Sequence, residues 1–140
     1  MISRTSLYAV RAVVALAKLP QGKFAGAAYI ARSVGAPENY LGKLLKTLAK
    51  AGLVESQKGL GGGFRLASEP QLISLYDVVE PIDQISRWSS CILGHNECSD
   101  EAGCPMHEQW KKVRGNYLRM LATTTIGQLA AKGEPVLQRR

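Results

Sequence analysis

Hydrophobic residues recur every three or four positions along three stretches near the start of the chain, which predicts three amphipathic helices. The first pattern covers residues 4–19 and ends at Pro20. The second covers residues 25–34 and stops at Gly35, and the third follows Pro37. The predicted buried face of the third helix consists of Leu41, Leu44, Leu45 and Leu48. Two short helices joined by a turn fit a helix-turn-helix, although a plain helical hairpin with a solvated lysine face fits the same pattern.

Two short predicted strands flank a glycine-rich stretch after the third helix. Residues 53–58 and 64–67 are predicted to be paired strands, and Gly59-Leu-Gly-Gly-Gly63 connects them. A β-hairpin directly after a helix-turn-helix is a wing, and bare glycines let its tip approach the backbone or minor groove of a duplex. A nucleotide-binding loop is disfavoured, because the run lacks the Lys-Ser/Thr of a P-loop and has Phe64 where the third glycine of GxGxxG should stand.

The second half of the chain contains further helical patterns around a stretch that has none. Ser74 and Asp77 have the spacing of a capping box, which opens a short helix reaching about Ile82. Periodicity is then absent until Pro105, and a second long helix is predicted over residues 106–122. A gap of this length inside a compact domain usually has a function or is disordered. Its tryptophan and branched apolar residues make disorder the weaker explanation.

The long second helix needs something to cover its apolar side. Thr125 is predicted to cap a last short helix over residues 126–131, which leaves the long helix outside the winged core. Helix-turn-helix proteins usually read two half-sites as dimers, so a second copy of the chain is the expected cover, with packing on the first helix as the alternative. The apolar positions concerned are Trp110, Val113, Tyr117, Leu118 and Leu121.

The predicted fold is therefore mainly α-helical with a small β-wing: a winged helix-turn-helix DNA-binding domain plus a long C-terminal dimerisation helix. The DNA-binding domain is placed at residues 1–82 and a cysteine-containing loop at 83–104. The dimerisation helix and the short terminal helix are placed at 105–133, and a tail at 134–140.

Charge is distributed unevenly along the chain. The net charge is +7, and residues 1–70 hold ten Lys and Arg against three Asp and Glu, whereas residues 71–140 hold eight of each. A basic half favours a polyanionic partner such as nucleic acid, although a merely basic surface would give the same count. No apolar run is long enough to cross a bilayer, and Arg11 and Lys18 interrupt the apolar stretch near the N-terminus. A cytoplasmic location is expected.

All three cysteines and both histidines lie in one segment. The pattern is Cys91-x6-Cys98-x5-Cys104-x2-His107, with His95 inside the first gap. Clustered thiols in a reducing compartment more often serve metal or redox chemistry than disulfides. An enzyme with Cys98 or Cys104 as nucleophile is disfavoured, because there is no Cys-x-x-Cys pair and no base with its orienting group. The chain is therefore predicted not to be an enzyme.

Three thiolates and one imidazole are a complete set of four metal ligands. Structural zinc sites usually contain a tight Cys-x2-Cys knuckle, which is absent, whereas iron–sulfur clusters accept looser spacings and sometimes a histidine. Pro105 is well suited to the first helical position, which predicts Cys104 as the N-cap and His107 as the third residue, close enough to ligate one centre. His95 is the competing imidazole, and inert cysteines are the remaining alternative.

The sequence resembles the winged-helix iron–sulfur transcription regulators typified by IscR and NsrR, over nearly its whole length. The matching stretches are Leu7-Tyr-Ala-Val-Arg-Ala12, Tyr40-Leu41, Gly52-Leu-Val54, Lys58-Gly-Leu-Gly-Gly-Gly-Phe-Arg-Leu-Ala67, the cysteine loop and Thr125-Ile-Gly-Gln-Leu129. The resemblance implies a homodimeric regulator, most simply a repressor, whose binding to a palindromic operator in double-stranded DNA is controlled by a cluster.

The resemblance also implies the ligands and the type of cluster. IscR-like members hold a [2Fe–2S] cluster with three cysteines and a histidine, a pattern that falls here on Cys91, Cys98, Cys104 and His107. NsrR-like members take an acidic ligand from the first helix, where this chain has Leu7 and Tyr8. The first cysteine gap is one residue longer than in IscR, which leaves a [4Fe–4S] cluster open. A zinc-based, thiol-based or cluster-less regulator is the alternative.

The predicted DNA contacts follow from the winged-helix arrangement. Asn39, Tyr40 and Lys43 are expected in the major groove. Lys58 and the glycine tip at Gly61 and Gly62 are expected at the backbone or minor groove. Lys46 and Arg65 are expected to contact phosphates, which would make binding strongly dependent on salt. The resemblance gives IscR an acidic residue where this chain has Gly42, so the preferred DNA sequence need not match.

Overall fold

The computed structural model describes residues 2–89, 92–93 and 104–132. Most of the predicted cysteine loop, including Cys91, His95 and Cys98, and the predicted tail over 134–140 lie outside these residues. The elements in chain order are α1 (Arg4–Ala17), α2 (Ala27–Val34), α3 (Glu38–Lys50), β1 (Val54–Gln57), β2 (Gly63–Leu66), α4 (Leu75–Asp83), α5 (His107–Thr123) and α6 (Ile126–Lys132). Short 3₁₀ turns cover Pro70–Leu72 and Ile85–Ser89.

The observed elements confirm the predicted mainly helical fold with a two-stranded wing. α1 lies at the centre and packs against α2, α3, α4, α6 and β2. Its buried residues include Val13 and Val14, which are almost completely inaccessible, and the four predicted leucines of α3 are all buried in the same core. Burial of a leucine side chain stabilises a protein by about 1.5–3 kcal/mol, so this core supplies much of the energy that orients α3.

The turn between α2 and α3 is the one that the sequence predicted. Gly35 ends α2 in the left-handed conformation, with φ of +72°, a conformation that glycine adopts at little cost. Pro37 is the N-cap of α3 rather than its first helical residue, and Glu38 begins the helix at the end where a negative charge is favourable.

The last short helix returns the chain to the winged domain. α6 packs against α1 and the Pro70–Leu72 turn, and Ile126 is buried in the core. The Ile126 N–H donates to the Ile73 carbonyl at 2.8 Å, and the Leu75 N–H donates to the Thr124 carbonyl at 2.9 Å. The predicted cap at Thr125 is confirmed as a reciprocal one, because its hydroxyl accepts from the Gln128 N–H and the Gln128 side chain accepts from the Thr125 N–H.

α5 packs against α4 and leaves much of its length exposed. Only His107 and Leu121 of this helix are buried, whereas Val113 is 60% exposed and Met120 is 48% exposed. Within the described ranges, no helix combines the length and apolar character that crossing a bilayer requires.

Candidate nucleic-acid interface and metal-ligand turn

α3 presents polar groups on the side opposite its leucine face. Asn39, Lys43, Lys46 and Lys50 are all exposed. The helix therefore offers one amide and three ammonium groups to solvent along its length. Amide and ammonium groups are the types that read base edges and bind phosphates.

Tyr40 is held at the start of α3 by contacts with α1. Its hydroxyl donates a hydrogen bond to the Thr5 hydroxyl at 2.8 Å. Its ring meets the Tyr8 ring edge to face, with 5.8 Å between centroids and 75° between planes. Tyr40 remains 36% exposed, so one edge of the ring stays accessible. The local sequence pattern did not indicate this bracing, because Thr5 and Tyr40 are 35 residues apart.

The wing is a tightly supported hairpin. β1 and β2 pair antiparallel, with Val54 opposite Leu66 and Gln57 opposite Gly63. Ala25 and Phe64 exchange two backbone hydrogen bonds, at 2.9 and 2.7 Å, which join the hairpin to the segment before α2.

The glycines of the wing are required by close backbone approaches as well as by the turn. A Cβ on Gly62 would lie 2.2 Å from the Gln57 carbonyl oxygen. A Cβ on Gly63 would lie 2.3 Å from the Ala25 carbonyl oxygen, and Gly63 also has φ of +127°. The repeated glycine of the sequence therefore has a packing reason in addition to a bare surface.

Arg65 is engaged within the wing. Its Nε donates to a Glu55 carboxylate oxygen at 2.9 Å, directly across the strand pair. Its guanidinium lies 4.5 Å from the centroid of the Phe24 ring. Both partners of the ion pair are substantially exposed, and such pairs are worth roughly 0–1 kcal/mol. A phosphate could therefore compete for Arg65 at small cost.

Lys58 and Leu60 lie near the tip of the hairpin, and both are exposed. Leu60 is 107% exposed, the highest value among the exposed large apolar residues. The sequence pattern did not indicate a role for Leu60, because only its exposure in three dimensions distinguishes it from a core leucine.

The start of α5 differs from the prediction. The helix begins at His107, and Met106, not Cys104, is its N-cap and forms no side-chain capping bond. Cys104 to Met106 form a turn in which the His107 N–H donates to the Cys104 carbonyl at 3.1 Å. A thiol is a weak hydrogen-bond acceptor, so the backbone carbonyl satisfies this N–H in place of the side chain.

The two described ligand candidates are linked through the backbone of this turn, and not through the predicted side-chain cap. Cys104 is partly exposed with a free thiol, and His107 is 8% exposed. The Nε2 of His107 lies 4.0 Å from a Glu108 carboxylate oxygen. A sulfur and an imidazole donor share one turn, which fits half of a four-ligand iron–sulfur or zinc site. Among the described residues, no group of three or more His, Cys, Asp or Glu side chains is placed to hold a metal ion.

The end of α4 connects the beginning of the cysteine loop to α1. Asp83 accepts hydrogen bonds from the Ser3 N–H at 2.9 Å and from the Ser3 hydroxyl at 2.5 Å. The Glu80 carboxylate accepts from the N–H and hydroxyl of Ser86, in the 3₁₀ turn that follows. The chain entering the loop is thus fixed to α4, and α4 is fixed to the first turn of α1.

Two ionisable groups at this junction, Asp83 and Tyr117, have shifted pKa values. Burial raises the pKa of the Asp83 carboxyl, but the hydrogen bonds from Ser3 outweigh burial and hold the pKa below its usual 3.8. Burial raises the pKa of the Tyr117 phenol on α5, and the negative charge of Asp83 raises it further. Asp83 thus stays ionised at neutral pH at the meeting point of α1, α4 and α5.

A helix-turn-helix whose second helix exposes lysines, followed directly by a supported wing, defines a winged-helix DNA-binding protein. The chain belongs to the Rrf2 family: the family model, described as an iron-dependent transcriptional regulator, matches residues 2–132. The helix-turn-helix-type transcriptional regulator IscR of Vibrio vulnificus is 31% identical over 129 residues, which covers 92% of this chain and 76% of that protein. The family resemblance inferred from the sequence is thereby confirmed.

Solved structures agree with this assignment. CymR, the global cysteine regulator of B. subtilis, superposes with a TM-score of 0.81 at 29% identity and covers 96% of this chain and 98% of its own. IscR of T. potens superposes with a TM-score of 0.77 at 25% identity and covers 100% of this chain and 93% of its own. The family model and the Vibrio vulnificus relative are described as transcriptional regulators, which confirms the prediction that the chain is not an enzyme.

Proposed function

We propose that this regulator is a repressor whose binding to operator DNA is controlled by an iron–sulfur cluster, most simply [2Fe–2S], held by Cys91, Cys98, Cys104 and His107. The observation that carries the proposal is the Cys104–His107 turn at the head of α5, a helix that packs on the winged domain through α4. The family's description as iron-dependent supports the choice of metal. When bound, such a cluster would respond to iron–sulfur supply, oxidation or nitric oxide.

The test begins with the metal itself. Protein purified without oxygen should be brown and contain iron and sulfide in equal amounts, with two of each per chain for [2Fe–2S]. His107→Ala should shift the visible absorption or lose the cluster, whereas His95→Ala should leave both unchanged. The two histidines are a matched pair, so a loss caused by His95→Ala alone would transfer the fourth ligand to that residue. Colourless, iron-free protein would refute the cluster.

Operator binding is the second part of the test. We propose that Asn39, Tyr40 and Lys43 enter the major groove, while Lys58 and the glycine tip approach the minor groove. Loaded and metal-free protein should then differ in affinity for a duplex selected by the protein from a randomised library. Equal affinity of the two forms for this duplex would show that the protein binds DNA but that a cluster does not control the binding.

A thiol-based regulator is a second candidate, and one observation favours it. The fold superposes well on CymR, a regulator named for cysteine, and CymR of Staphylococcus aureus has also been solved in an oxidised form. Oxidation of Cys91, Cys98 or Cys104 would then be the signal. Air oxidation that changes DNA affinity in iron-free protein, reversibly with a thiol reductant, would support this candidate over the cluster.

We further propose that the chain acts as a homodimer paired through α5 and reads a palindromic operator. Met106, Val113 and Met120 follow each other at seven-residue intervals and are 42–60% exposed, which is the spacing of a helix–helix seam. Gly115 lies in the same helix with open space where a Cβ would stand. In this proposal residues 1–82 bind DNA and α5 pairs with the same helix of a second copy.

Sedimentation tests the dimer directly. Val113→Glu should convert the dimer to a monomer and weaken operator binding, because the charge would be buried without a partner in the seam. Lys112→Glu, one residue away and also exposed, is the control and should stay dimeric. A monomeric wild-type chain that still binds its operator tightly would contradict the pairing.

A further inference from the structure

The tip of the wing is a hydrogen-bonded turn that holds one leucine away from the protein. The Gly62 N–H donates to the Gly59 carbonyl at 3.0 Å, and Gly61 has φ of +74°, which a type II turn requires at its third position. Leu60 occupies the second position. Its side chain is 107% exposed, so it contributes nothing to the folded core.

The turn stands on a rigid base. The two backbone hydrogen bonds between Ala25 and Phe64 fix the hairpin to the body of the domain. The close approach of Gly62 to Gln57 packs the backbone tightly at the base of the tip. Leu60 is therefore presented in a defined direction, unlike an apolar residue on a loose loop. Such presentation lowers the entropic cost of inserting the side chain into a partner.

The neighbouring charge indicates the partner. Lys58 is exposed two residues before Leu60, and the two flanking glycines, Gly59 and Gly61, add no side chains that would obstruct close approach. Proteins that bind the minor groove combine cationic side chains, attracted by its negative potential, with apolar wedges that enter between base steps. A protein docking surface would usually need a larger apolar patch than one leucine.

We propose that Leu60 is a wedge that enters the minor groove and partly unstacks one flexible base step, such as TA, beside the contact made by Lys58. The inference rests on the DNA binding proposed above and adds a specificity-determining residue to it. Each wing would then kink the duplex, and the preference for a deformable step would appear at a position where no base edge is read.

The experiment uses the full chain, purified without oxygen, and a duplex enriched by the wild type from a randomised library. The duplex carries 2-aminopurine at the step facing the wing, to report unstacking, and dyes at both ends, to report bending by energy transfer. Leu60→Ala should bind about tenfold more weakly, as expected for losing a partly buried leucine contact, and should lose both signals. Leu60→Met, which keeps an apolar side chain of similar length, should retain both signals. Lys46→Ala, outside the wing, should weaken binding but keep the bend.

The outcomes separate this inference from the function on which it depends. Equal bending and unstacking by wild type and Leu60→Ala would overturn the wedge while leaving DNA binding intact. A weaker Leu60→Ala complex with unchanged bending would also overturn it, since Leu60 would then be an ordinary contact. If the wild type enriches no duplex at all, the proposed function fails, and the wedge fails with it.

Discussion

Glycine has different roles at two positions, Gly62 in the wing and Gly42 in α3. Gly62 is needed because any side chain would meet the Gln57 carbonyl oxygen, whereas Gly42 lies in the interior of α3 with nothing near its missing Cβ. The same residue type therefore has a packing role at one position and only a cost in helix propensity at the other. Gly62 stands in a glycine-rich run and Gly42 between Leu41 and Lys43, but neither context shows which atoms a Cβ would meet.

Alanine substitution at these two glycines tests the difference. Gly62→Ala should destabilise the protein by about 1–3 kcal/mol, the usual cost of inserting an atom into a packed site. Gly42→Ala should stabilise it by up to about 1 kcal/mol through helix propensity. Thermal or urea unfolding of the two variants beside the wild type measures both. An unchanged midpoint for Gly62→Ala would mean that the hairpin relaxes freely around position 62.

At the scale of elements, one ionised carboxylate links the end of α4 to the N-cap of α1. Ser3 caps α1 by accepting a hydrogen bond from the Ser6 N–H, and Asp83 at the end of α4 holds Ser3 in turn. The next residue, Gln84, adopts the left-handed conformation with φ of +50° and ends the helix. The geometry of both helix ends is thereby fixed by contacts 80 residues apart in sequence.

This junction gives the stability of the protein a defined dependence on pH. Because folding lowers the pKa of Asp83 below 3.8, its contribution is fully present above that value and is lost as the pH falls through the folded pKa. Between pH 7 and about pH 3, the wild type should therefore lose more stability than Asp83→Asn. Urea unfolding at both pH values measures the difference.

Ser3→Ala is the companion variant for the same measurement. It removes the hydroxyl that donates to Asp83 but keeps the backbone N–H, so its loss of stability on acidification should be intermediate. Identical pH dependence in the wild type and Asp83→Asn would show that other carboxylates dominate acid unfolding and that this junction contributes little.

At the scale of the whole molecule, positive charge and the exposed face of α3 coincide. The excess of basic residues lies within the first 70 residues, and three exposed lysines of α3 belong to it: Lys43, Lys46 and Lys50. Charge concentrated on the winged domain attracts the DNA backbone at long range, and its effect weakens as salt screens it. The second half carries no net charge, which suits the pairing and the metal site proposed for it.

Salt titration of DNA affinity tests this distribution. The logarithm of affinity should fall linearly with the logarithm of salt concentration, and Lys46→Ala should reduce the slope by about one for each copy of the variant in the complex. Lys111→Ala, an exposed lysine on α5, is the control and should leave the slope unchanged. Equal slopes for Lys46→Ala and wild type would remove Lys46 from the phosphate contacts.

The sequence by itself determined the order and type of the helices, the wing, the caps at Ser74 and Thr125 and the clustering of the cysteines. These features are local: they depend on periodicity, on capping side chains within three residues and on glycines in a turn. The turn at Gly35 and the leucine face of α3 were predicted correctly for the same reason.

Only the tertiary structure decided how those elements support one another. It placed the start of α5 at His107, joined Tyr40 to Thr5 and Ser3 to Asp83, and left Leu60 without a cover. Such contacts bring together residues that are far apart in sequence, and no local spacing encodes them, because they form only when the buried faces of separate helices pack into one core.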